Sequence, residues 1–291
     1  MSGFERHTAP TSLEQALQCL QQEAGEVTIL AGGTDLMPQK QAGRLKPKRT
    51  LMSIRRIAEL RGVTTLADGT IHIGALTTIT ELMSDPLVRR WLPVLAEAGD
   101  HFASNQIRNA GTLGGNISNA SPAGDMLVPL LVLEARAELA RLADGQVSRR
   151  EVPLTAFFLG PGKTGRAASE LLTGVRIPRP PEGWVARFFK FGTRPALDIS
   201  VVSVGIGGAL QQGALRGARV AFGAVAATPM RAPRTEAALE GRRLDAATVE
   251  AAAGTARDEV SPIDDVRASA WYRRELVHTI TKRMLSHVAQ G

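Results

Sequence analysis

The sequence predicts an α+β protein, and three observations lead there. Short apolar strands and amphipathic helices are interspersed through residues 1–178. The cluster Pro178-Arg179-Pro180-Pro181 then interrupts the chain, since proline removes a backbone donor and opposes regular continuation. Beyond it, strand patterns come first and helical patterns last, an α+β order. The expected division is therefore 1–178 and 183–291, within the two or three domains that 291 residues allow at ~100–200 each.

Thr11 and Ser12 offer a helix cap, with Glu14 in the first turn and Leu13, Ala16, Leu17 and Leu20 at helical spacing. Residues 27–31 form a short apolar strand that runs into Gly32-Gly33-Thr34-Asp35. Residues 38–49 carry Lys40, Arg44, Lys46, Lys48 and Arg49 and read as a solvated loop. Residues 51–54 and 70–76 read as strands, the second after the Asp68-Gly69 turn. Residues 79–83 and 87–98 read as helices. Residues 105–125 are too rich in glycine and asparagine for a regular element, and long irregular segments tend to be functional. Residues 126–135 read as a buried helix, 138–141 and 151–153 as strand fragments, and 171–177 as a strand. In the second part, 187–190, 199–210 and 220–225 read as strands, and 235–239, 246–257 and 269–288 as helices.

Composition narrows the function. The net charge of +7 and pI near 10.3 fit an anionic ligand or an acidic partner surface. Only 4% of residues are aromatic, so no base-stacking platform supports nucleic-acid binding. Cys19 is the sole cysteine, so this chain forms no internal disulfide and ligates no iron–sulfur cluster by itself. Its five histidines show no metal-ligand spacing. No apolar run reaches membrane-span length, and the N-terminus lacks a secretory h-region, so a cytoplasmic protein is expected.

Two glycine-rich segments carry the chemistry. One is Thr28-Ile29-Leu30-Ala31-Gly32-Gly33-Thr34-Asp35. The other runs from Thr112-Leu113-Gly114-Gly115-Asn116 to Ser121 and Asp125. Glycines let a ligand approach the backbone, and successive N–H groups in such turns form anion nests. A pyrophosphate held between the two loops follows, with hydroxyl donors from Thr34, Ser118 and Ser121 and with Asp125 as an acceptor for ribose or adenine. Gly160-Pro161-Gly162-Lys163-Thr164 is not a P-loop, because Phe157 stands where the leading glycine belongs. Gly160, Gly162 and Gly165 precede a strand rather than open a helix, so they form no Rossmann fingerprint. Lys190 and Arg194 lie in the segment from Phe188 to Asp198. A lysine among aromatic residues there fits a cation beside a reduced flavin.

These residues resemble a known family. Ala31-Gly32-Gly33-Thr34-Asp35-Leu36, Gln106-Ile107-Arg108-Asn109, Thr112-Leu113-Gly114-Gly115-Asn116 and Ser121-Pro122-Ala123-Gly124-Asp125 resemble the FAD-binding subunits of molybdenum hydroxylases, with Phe189-Lys190, Arg194 and Leu197-Asp198-Ile199 matching later. The resemblance implies a vanillyl-alcohol-oxidase-like FAD-binding domain of two subdomains, about 1–57 and 58–178, and a C-terminal α+β domain closing over the flavin. It implies that residues 28–35 and 112–116 bind FAD, that Ser121 and Asp125 help hold it, that Glu170, Leu171 and Leu172 line its site, and that Lys190 lies near it and tunes it. It also implies partners: a molybdopterin-binding large subunit, a small subunit with 2Fe-2S clusters, and an acceptor such as NAD. The single cysteine agrees with clusters held elsewhere. The rival readings are a self-sufficient FAD-dependent oxidase or dehydrogenase of the same fold and a basic nucleic-acid-binding or scaffold protein.

Overall fold

The computed structural model describes residues 3–23, 25–194 and 197–290. Pro195 and Ala196, inside the Phe188–Asp198 segment singled out above, lie outside the described residues.

The chain opens with strand β1 (Arg6–Thr8). Helix α1 (Leu13–Gln22) follows, and Ser12 caps it by accepting the Gln15 N–H at 3.2 Å. Its Leu13, Ala16, Leu17 and Leu20 are buried, as their spacing predicts. Strand β2 (Val27–Leu30), helix α2 (Leu36–Gln41) and strand β3 (Thr50–Ser53) complete a parallel sheet in the order β1-β3-β2. Parallel neighbours need crossovers, and α1 and α2 supply them.

Strands β4 (Val63–Thr65) and β5 (Ile71–Gly74) begin the second sheet. Six short helices then fill its cover: α3 (Ile79–Ser84), α4 (Pro86–Trp91), α5 (Pro93–Asp100), α6 (Asn105–Ala110), α7 (Leu113–Asn119) and α8 (Leu127–Val132). Residues 87–98 are thus two helices, because Pro93 cannot continue a turn and starts a new one. Residues 105–125 hold two helices rather than irregular chain. Ser104 and Thr112 cap them through the Ile107 and Gly115 N–H groups. Strands β6 (Arg136–Ala143) and β7 (Gln146–Pro153), helix α9 (Leu154–Phe157), the small hairpin β8 (Phe158–Gly160) and β9 (Lys163–Thr164), and strand β10 (Leu171–Ile177) follow. The sheet is antiparallel, in the order β4-β5-β10-β6-β7.

The last part is an antiparallel meander of β11 (Trp184–Phe191), β12 (Val202–Gln211), β13 (Ala214–Gly223) and β14 (Met230–Arg231). Helices α10 (Pro233–Leu239), α11 (Ala246–Glu259) and α12 (Ala270–Gln290) pack on it. The fold is α+β throughout. Ala186 and Phe188 of β11 and Ala221 of β13 belong to the core around α5 and α8, so the third sheet is fastened to the second part. Glu97 of α5 adds a polar tie by accepting the Phe188 N–H at 3.0 Å.

Candidate functional site

The two glycine segments cross. The loop leaving β2 passes so close to the turn before α7 that a methyl group on Gly32 would run into the Ala110 carbonyl. Gly33 has φ +78°, where a side chain is disfavoured. That turn brings the Met37 N–H onto the Gly33 carbonyl at 3.0 Å and starts α2. Among the described residues, the N–H groups of Gly32, Gly33, Thr34 and Asp35 make no hydrogen bond. Four successive free donors are what an anion nest requires.

The second segment works differently from its sequence reading as a nest. Leu113 donates to the Thr77 carbonyl, Gly114 to the Ala75 carbonyl (both 2.9 Å), and Gly115 to Thr112 Oγ1 at 3.0 Å. These donors are satisfied inside the protein. Gly114 is needed for close approach, since a methyl there would lie 2.6 Å from Ala75 Cβ. What the segment presents instead is Asn116, whose Oδ1 is buried without a partner among the described residues. A buried orphan acceptor calls for a donor from something else.

Both segments wall a groove of about 870 Å³. Thr28, Ile29, Ala31, Gly32, Gly33, Thr34, Asp35, Thr112, Gly114, Gly115, Asn116, Asp125, Leu171 and Leu172 line it. Five of the residues expected at the FAD site do not. Leu30 gives its carbonyl to Ile54 N–H, and Leu113 is in the core. Ser121 Oγ accepts the Ala123 N–H and shapes the turn before Asp125. Glu170 is 3% exposed; it is held by Arg150 at 2.6 and 2.8 Å and by the Ala167 N–H at 2.8 Å. Lys190 stands behind the wall, with Nζ 2.7 Å from Asp125 Oδ2 and 3.1 Å from the His101 carbonyl.

Asp125 is the hub of that end. Ser200 Oγ donates to its Oδ1 at 3.0 Å. Burial pushes its carboxyl above the usual range, while Lys190 pulls it down. Leu197, Asp198 and Ile199 bring the third part of the chain to the groove. Thr193 donates its hydroxyl and its N–H to Asp198, which holds that carboxyl down to about 2.

Several lining residues escaped the sequence reading. Phe102 precedes α6 without any local signal, and Ser104 is the cap of that helix. Lys46 and Lys48 belong to the run read as a solvated loop, yet both line the groove. Gly162 and Thr164 belong to no nucleotide fingerprint, but their hairpin forms part of the wall, as does Arg166 just after it.

Residues 3–180 match the FAD binding domain in molybdopterin dehydrogenase, and residues 187–288 match the CO dehydrogenase flavoprotein C-terminal domain. The chain belongs to the family of FAD-binding medium subunits of xanthine and carbon monoxide dehydrogenases. Within that family it is 33% identical over 287 residues to the xanthine dehydrogenase FAD-binding subunit of Escherichia coli O157:H7, covering 98% of this chain and 96% of that one. It is 34% identical over 279 residues to the glyceraldehyde dehydrogenase medium chain of Sulfolobus acidocaldarius, with 96% of each covered. Its fold matches the crystallised carbon monoxide dehydrogenase of Hydrogenophaga pseudoflava that lacks the Mo-pyranopterin moiety, with TM-score 0.90, 32% identity and coverage of 97% and 96%. The chain is thus an FAD-binding oxidoreductase subunit. No helix among the described residues is long and apolar enough to cross a membrane.

Proposed function

We propose that this chain is the electron-relay subunit of a molybdenum hydroxylase complex. It would work between 2Fe-2S clusters in a small subunit, served by a molybdopterin-binding large subunit, and an acceptor such as NAD. The observation that carries this reading is the groove: four free N–H groups from Gly32 to Asp35 face a space also walled by the orphan Oδ1 of Asn116. These suit a dinucleotide, with the N–H row for the diphosphate and Asn116 for a polar hydrogen of the cofactor. Bound there, FAD supplies reversible electron storage.

The chain's own residues then bind, orient and shield. Residues 1–178 supply the binding groove, and 183–291 close its flavin end. We assign the isoalloxazine to the end walled by Asp125, Phe102 and residues 197–199. At that end Lys190 acts through Asp125: it keeps the buried carboxylate charged and fixed against the flavin. Leu197 and Ile199 limit water access there. The compartment proposed is the cytoplasm, where a lone thiol such as Cys19 stays reduced.

The test is a spectrum of the purified chain, with mass spectrometry of what it releases on denaturation. Flavin bands at ~370 and ~450 nm with released FAD are expected. Co-purified partners should bring molybdenum and iron. A folded chain that stays colourless with added FAD would refute the cofactor claim. A yellow chain that turns over a small organic substrate alone would refute the relay claim.

A further inference from the structure

Glu170 is buried and does not line the groove, whereas its neighbour Arg166 does. Arg150 and the Ala167 N–H hold the Glu170 carboxylate. This pins the turn 165–170, and Arg166 is fastened across it: its Nη1 donates to the Glu170 carbonyl at 2.5 Å and to the Ala167 carbonyl at 3.0 Å. One edge of the guanidinium is therefore fixed. Nε and Nη2 have no protein acceptor among the described residues, and Arg166 forms no ion pair among them. The side chain lines the groove. Burial depresses its pKa, so it sits where a cation lacks full solvation. A half-buried guanidinium with one edge anchored and the other free is a preformed fork for phosphate or for the acceptors of a sugar or base.

Its place selects which half of a dinucleotide it meets. The diphosphate nest at Gly32–Asp35 follows β2, and Asp125 with residues 197–199 walls the end reached by the third part of the chain. Arg166 belongs elsewhere. It lines the groove together with Leu171, which packs in one core cluster with Val27 at the start of β2. Ala168 lies 3.5 Å from where a methyl on Gly25 would stand, so this turn packs against the residues before β2.

We propose that Arg166 recognises the adenosine-phosphate half of FAD, with Glu170 as its positioning residue. This rests on the FAD reading above. Apo protein of full length is titrated with FAD and with FMN, which shares the isoalloxazine but lacks the adenosine half. Arg166→Leu should weaken FAD roughly ten- to a hundredfold, the loss of one or two charge-assisted hydrogen bonds, and leave FMN nearly unchanged. Arg166→Lys, which keeps the charge and the fold, should fall between. Glu170→Gln should weaken FAD and spare FMN as well, because the fork loses its anchor. Equal weakening of both flavins, or unchanged FAD affinity in both Arg166 variants, overturns the inference alone. A folded wild-type chain that binds neither flavin overturns the FAD reading and this inference with it.

Discussion

Lys190 Nζ lies 2.7 Å from Asp125 Oδ2, with both side chains nearly buried, and the pair ties β11 of the third sheet to the groove wall of the second part. A buried pair is weak evidence of net stabilisation, but removing one partner strands the other. Lys190→Met should therefore cost about 3 kcal/mol of stability at neutral pH. Burial already raises the Asp125 carboxyl. An acid whose folded pKa is raised favours folding most in acid, and that advantage is lost as pH rises through the folded value. Without Lys190 the loss with rising pH becomes steeper, so the deficit should shrink on acidification. Urea unfolding at pH ~4 and ~8 reads it. Lys190→Met/Asp125→Asn should recover much of the loss, and no recovery would deny the pairing.

Gly32→Ala places a methyl into the Ala110 carbonyl where two backbones cross. Neither backbone is a flexible side chain that can step aside. The loop must shift, which breaks the alignment of the free donors at Gly33, Thr34 and Asp35. Purified Gly32→Ala should carry little FAD, read as flavin absorbance per chain. It should lose about 2 kcal/mol or more of stability. Wild-type flavin content would show that the crossing is not required.

Asn116→Ala separates binding from stability. The orphan Oδ1 costs the cofactor-free fold an unmet hydrogen bond. Its removal should leave the thermal midpoint of the apo chain unchanged or raise it, while FAD affinity falls several-fold. A destabilised apo chain would mean that Asn116 is satisfied within the protein.

Glu170→Gln has a pH signature opposite to that of Lys190→Met. The bidentate hold of Arg150, with the Ala167 N–H, keeps the Glu170 carboxyl below the usual glutamate range. A depressed acid contributes stability above its unfolded pKa and loses it as pH falls through the folded one. The substitution should cost roughly 1–2 kcal/mol at neutral pH, kept modest because Arg150 is half exposed. The gap should close in strong acid, and a gap that persists there would point to packing rather than charge.

Much of this was legible in residue order, and the misses have physical causes. Helix α1 stood out because its apolar spacing matches one buried face, and strands β2 and β10 because they are short, mostly apolar runs. Strand β7 read only as a fragment, since its exposed Ser148, Arg149 and Arg150 carry no alternation. Helices α6 and α7 hid behind glycine and asparagine, although Ser104 and Thr112 are ordinary caps. The glycine segments were legible as a pair. That one keeps its N–H groups free while the other satisfies them was not, because Thr77 and Ala75 accept those bonds from far along the chain. Glu170 drew attention in place of Arg166 for a related reason: only folding shows that Arg150 occupies the carboxylate.

The groove draws its walls from residues as far apart in the sequence as Val27 and Ile199. A chain still emerging from the ribosome therefore owns a nest before it owns a pocket. Capture of the dinucleotide has to wait until the third sheet has begun to form, well after the glycine loops are made. Stalled nascent chains that end short of Ile199 should take up no FAD, and chains released whole should. Loading would then be a finishing step of biosynthesis, and a shortage of flavin would leave behind fully translated but unclosed subunits.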